Sequence, residues 1–170
     1  MLYLDFLHVF QLKKRFKKKD IMLEKIMKEK ISADHLLYVS LKYTKTCDVI
    51  INLIKRWTIM IDDCIDALLE TLKKRKKIKA IPIAPRQKME LLKTALKNSP
   101  EVIKTMEIYS FFKKIDNLKA IRESEFRKDV RLKILDNENE TIINLDKLKE
   151  YSSILESFIS YVKQFLLSPK

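Results

Sequence analysis

The sequence predicts a mainly α-helical bundle around one long central helix, with a small β-hairpin before the C-terminal helix. Three observations carry this. The 170 residues contain no glycine, where average usage would place about a dozen. Apolar residues recur at i, i+3 and i+4 through most of the chain. The stretch between Phe126 and Leu145 abandons that period and alternates instead. Glycine lets backbone reach positive φ or approach a phosphate closely. Its absence therefore excludes the Walker loop, the dinucleotide fingerprint and the nucleophile elbow together. It also predicts loops that need no left-handed residue. A chain of this length fits a single domain, residues 1–170.

The first element is a basic N-terminal segment, residues 1–30. Met1–Phe10 is interrupted by Asp5 and His8 and is too short to span a bilayer. We read it as the start of an amphipathic helix or a docking segment. It runs into Lys13, Lys14, Arg15, Lys17, Lys18 and Lys19, with Phe16 among them. Asp20 is expected to cap a second short helix carrying Met22, Ile26 and Met27. Ser32 or Asp34 is expected to cap the central helix. That helix is traced by Cys47, Ile50, Ile54, Trp57, Ile61, Cys64, Leu68 and Leu72. A second track (Ile51, Leu53, Met60, Ile65, Ala67, Leu69) widens the apolar face, so the helix must be covered on two sides, by a bundle or a dimer partner. Unbroken, it would be about 60 Å long. Thr44 and Thr46 mark the expected break. It ends in Lys73, Lys74, Arg75, Lys76, Lys77 and Lys79, more cations than a helix dipole requires.

Pro82 and Pro85 predict a stiff connection, with Pro85 opening a short helix on Met89, Leu92 and Leu96. Ser99-Pro100-Glu101 is a helix start, a cap followed by proline and an acid in the first turn. Ile103, Met106, Phe111, Phe112, Ile115 and Leu118 follow it. The hairpin occupies residues 126–145. Val130, Leu132 and Ile134 form one strand, Asp136-Asn137-Glu138-Asn139 the turn, and Thr141-Ile142-Ile143 the return. Asp146 is expected to cap the last helix, whose stripe is Leu148, Tyr151, Leu155, Phe158, Ile159, Val162 and Leu166.

A formal net charge of +13 and a pI near 9.6 favour an anionic partner, foremost nucleic acid. The candidate contacts are Lys13, Lys14, Arg15, Lys17 and Lys18 of the N-terminal block, the run Lys73, Lys74, Arg75, Lys76, Lys77 and Lys79, and Arg122, Arg127 and Arg131 around the hairpin. Phe126, among those arginines, is expected to pack between hairpin and helix. The alternative is a homodimer through the wide apolar face of the central helix. Cys47 and Cys64 lie about 25 Å apart along a helix, too far for a disulfide, and read as reduced thiols in a cytoplasmic protein. No cofactor, small-molecule substrate or membrane partner is expected. His8 and His35 lack partners at metal spacing.

One short motif carries a competing chemistry. Asp62-Asp63-Cys64-Ile65-Asp66 resembles the Asp-Asp-x-x-Asp of helical prenyl-diphosphate synthases over five residues. Asp62 and Asp66 share a helix face there and are secondary candidates for Mg²⁺, with Glu70 one turn on. No second acidic copy follows.

At the level of the fold, the long helix around Asn52–Leu72 and the charged Ile121–Arg131 stretch before the end helix resemble the HEPN superfamily. That resemblance implies a helical bundle, often dimeric, many of whose members are ribonucleases. The signature of that family, Arg followed four to six residues later by His, is absent around His8 and His35. A catalytically silent member is implied, with the hairpin as an addition.

Overall fold

The computed structural model describes the backbone of residues 2–168 and the side chains of residues 17–168. Helix α1 spans Leu2–His35 and α2 Leu41–Thr44, joined by a π-helical turn at Leu36–Ser40. There follow α3 (Cys47–Lys74), α4 (Pro85–Ala95), α5 (Pro100–Ile115), strands β1 (Lys119–Glu123), β2 (Arg131–Asp136) and β3 (Asn139–Ile143), and α6 (Leu145–Leu167). Helix α3 is the axis, and α1, α4, α5 and α6 pack around it.

Helix α1 runs straight through two expected boundaries. Asp20 starts no new helix, and Ser32 and Asp34 sit inside α1 rather than capping α3. Local capping signals lose here to packing. Ile26 and Ala33 are buried against α3, and ion pairs stitch the two helices antiparallel: Lys18–Glu70 at 2.7 Å, Lys25–Asp63 at 2.6 Å and Glu29–Arg56 at 3.1 Å. Lys18 and Lys25 on one helix, and Glu70, Asp63 and Arg56 on the other, fall at heptad steps, the spacing of a coiled-coil seam. The break near Thr44 and Thr46 is where the sequence placed it. Lys45 closes α2 at φ 48°, Thr46 is extended, and α3 begins at Cys47.

The wide apolar face of α3 is consumed within the chain. From Cys47 to Leu72 both tracks are buried except Ile51, which is half-buried. Trp57 stacks on Phe112 of α5 (centroids 6.1 Å), and Phe112 meets Tyr151 of α6 edge-on at 5.3 Å. A second copy cannot use that face without opening the bundle, so the dimer reading loses the surface it was built on.

Pro85 and Pro100 open α4 and α5 as expected, with Ser99 as N-cap of α5. The Ser99 hydroxyl faces Tyr161 of α6 at 2.9 Å instead of the helix backbone. The predicted hairpin is β2–β3, with Asp136 opposite Asn139. It carries a third, antiparallel strand, β1, in the order β1-β2-β3. Strand β1 has no buried residue. Pairing with β2, not its own pattern, makes it a strand. Asn144, not Asp146, caps α6, its side chain accepting from Lys147 N–H at 2.9 Å. The whole α6 stripe is buried.

The glycine-free loops do use left-handed backbone. Lys45, Lys76, Ser124, Phe126 and Asn137 have φ between 48° and 65°. For residues with a Cβ this costs about 1–2 kcal/mol each, less for Asn, so the expectation of loops free of such residues fails. Phe126 also departs from its expected core contact, being 76 % exposed.

Candidate nucleic-acid interface

The structure brings the described end of the N-terminal basic block to the run beyond α3 and holds the hairpin arginines far away. The first two meet where α3 ends. Glu70 receives Lys18 from α1 at 2.7 Å and Lys74 from its own helix at 4.0 Å, so one carboxylate ties the N-terminal block to the run beyond α3. Lys19 donates to the Leu166 carbonyl at the end of α6, bringing that helix end to the same pole. Lys13, Lys14 and Arg15 have side chains outside the described residues.

Helix α3 ends in a Schellman turn without glycine. Lys77 N–H donates to Leu72 O at 2.9 Å, Lys76 N–H to Lys73 O at 3.0 Å, and Lys76 takes φ 57°. Arg75 is structural. Its guanidinium donates to Phe165 O (2.7 Å) and Ser168 O (2.8 Å) and lies 4.5 Å over the Phe165 ring, so it closes the C-terminal turn of α6. Lys73, Lys76, Lys77 and Lys79 are exposed and form no ion pair with any described residue. The supply of acid explains this. The chain has no Asp or Glu between Asp5 and Asp20, nor between Glu70 and Glu90. Folding brings the described end of the first of these acid-free windows, at Lys18 and Lys19, to the start of the second around Glu70. The sequence signal was the windows' lack of acid, which says more than their wealth of lysine.

The hairpin arginines lie at the other end of α3, about 40 Å away along its 28 residues. Arg122 binds Asp48 at 2.8 Å and approaches Glu125 at 3.6 Å, and Arg131 binds Glu123 at 2.6 Å, with Lys133 sharing Glu123 at 3.3 Å. The Arg122 hydrogen bond holds the Asp48 carboxyl below its ordinary value, and Arg131 does the same for Glu123. Glu125 also accepts from Cys47 N–H at 3.0 Å, capping α3 from a distant loop. Arg127 alone of the three forms no ion pair with a described residue.

Asp62 and Asp66 of the Asp-Asp-x-x-Asp segment line one small cavity with Lys88, Tyr109 and Lys113, where cations already answer them. Asp62 accepts the Tyr109 hydroxyl and lies 3.5 Å from Lys113, while Asp66 binds Lys88 at 2.7 Å. Burial, then the Asp62 contact, pushes the Tyr109 phenol up. Asp63 turns to Lys25. Each carboxylate therefore faces its own cation, and among the described residues no three His, Cys, Asp or Glu side chains gather to hold a metal. Both cysteines are free and buried. No described helix is long and apolar enough to cross a membrane. Compared with known protein families, curated proteins and solved structures, the chain matches none of them.

Proposed function

We propose that this chain binds nucleic acid without acting on it chemically, contacting phosphates through Lys17, Lys73, Lys76, Lys77 and Lys79. The observation that carries the reading is the junction of the two acid-free windows at Glu70. Cations without carboxylate partners are available to neutralise phosphates, which releases the counterions condensed on the nucleic acid. Arg75, Arg122 and Arg131 contribute little, since each already holds an oxygen of the chain. A HEPN-like bundle lacking the Arg–His pair fits a binding role and adds no residue to it.

Titrating a short labelled duplex at several salt concentrations tests this. The logarithm of the affinity falls steeply with the logarithm of salt. Changing Lys73, Lys76, Lys77 and Lys79 together to Gln makes the slope shallower by about 3–4 units, at about 0.9 per phosphate contact. Changing Arg122 and Arg131 to Gln leaves it within about one unit of the parent. A flat response, or no binding at low ionic strength, ends the reading.

A further inference from the structure

The end of the molecule opposite the lysine pole carries an exposed aromatic pair in a braced setting. Phe126 and Tyr43 are each 76 % exposed. Phe126 N–H donates to Lys45 O at 2.8 Å, which sets the β1–β2 loop beside the turn that follows Tyr43. The loop is held in place by its own bonds. Ser124 Oγ donates to Asp129 at 2.9 Å, Arg127 N–H to Ser124 O at 3.1 Å, and Glu125 caps α3. Ser124, Phe126 and Lys45 all adopt left-handed backbone. A bulky residue at positive φ is an outlier, and here its ring stands in water.

Charge identifies the occupant. The acids around this tip are engaged: Asp48 and Glu125 by Arg122, Glu123 by Arg131 and Lys133, Asp129 by Ser124. Lys42, Lys45, Arg127 and Lys128 form no ion pair with a described residue, and Lys42 lies 5.7 Å from the Tyr43 ring. Open rings among cations that form no ion pair match a strand whose bases are unpaired, because every base has a face for stacking and every nucleotide a phosphate. A duplex offers no such face except at its ends.

We infer that Phe126 and Tyr43, with Lys42, Lys45, Arg127 and Lys128, form a second contact site that takes single-stranded nucleic acid by base stacking. This rests on the nucleic-acid reading above and deepens it: the lysine pole holds backbone, and the aromatic tip selects unpaired bases.

The test compares a labelled oligothymidine with a duplex of equal length at fixed salt. Phe126→Ala and Tyr43→Ala each weaken oligothymidine binding roughly five- to a hundred-fold, the range of one stacked base. Duplex affinity stays unchanged, and Phe126→Trp retains binding. Trp57 is buried, so quenching of the Phe126→Trp fluorescence by oligothymidine reports stacking at the tip. Unchanged oligothymidine affinity of Phe126→Ala overturns the inference. If the four-lysine variant still loses both ligands in that case, the lysine-pole reading survives by itself. Loss of binding to phosphatidylserine-containing vesicles in Phe126→Ala, with oligothymidine binding intact, assigns the tip to a membrane surface and likewise overturns it. No binding of the parent chain to either nucleic acid sinks both readings.

Discussion

At the C-terminal end of α3, Lys73, Lys76, Lys77 and Lys79 stand exposed with no carboxylate partner among the described residues, whereas at its N-terminal end Arg122 and Arg131 each hold a carboxylate. Both ends are rich in cations. The difference lies in acid supply. The sheet end draws on Asp48, Glu123 and Glu125, contributed by α3, β1 and the loop after it. The lysine end has Glu70, already shared by Lys18 and Lys74. Positive charge in a sequence is thus no measure of positive charge available to a partner.

Three changes break or sharpen that contrast. The largest separates structural from free cations inside one run. Arg75→Ala removes two charge-assisted bonds to the end of α6 and is expected to lower stability by about 1.5–3 kcal/mol. Lys77→Ala, two positions on, stays within about 0.5 kcal/mol. Urea unfolding distinguishes them, and equal losses would mean that the run is structural throughout. Next is Lys76→Gly, which relieves the left-handed strain of the Schellman turn. It should stabilise by about 1 kcal/mol while making the salt slope of binding shallower by about one unit. A loss of stability would show that the lysine stem packs there. The smallest concerns the sheet end. The carboxyls of Asp48 and Glu123 titrate below their unfolded values near 4. Their pairs therefore add stability above that value and lose it as pH falls through the lower folded value. A carboxyl-detected NMR titration should find both groups below the ordinary range, and Arg122→Gln should return Asp48 alone to it.

Most helices were legible because their causes are local. The stripes of α3 and α6, the prolines opening α4 and α5, and the alternation of β2 are each written within a few residues. Three features were not. Asp20, Ser32 and Asp34 carry capping chemistry, yet burial of Ile26 and Ala33 and the ion pairs to α3 carry α1 through them. Strand β1 has no apolar alternation of its own and exists through its ladder to β2. Phe126 looked like a core residue by type, and its surroundings left it outside.

The sequence by itself determined the class of fold, the breaks at Thr46 and Pro82, and the total excess of positive charge, since periodicity, proline geometry and composition act along the chain. The tertiary structure alone decided which cations remain free. Lys18 meets Glu70 from 52 positions away and Arg122 meets Asp48 from 74, whereas Lys73, Lys76, Lys77 and Lys79 meet no carboxylate among the described residues. Coulomb attraction depends on distance in space, and only the packing of the bundle sets that distance.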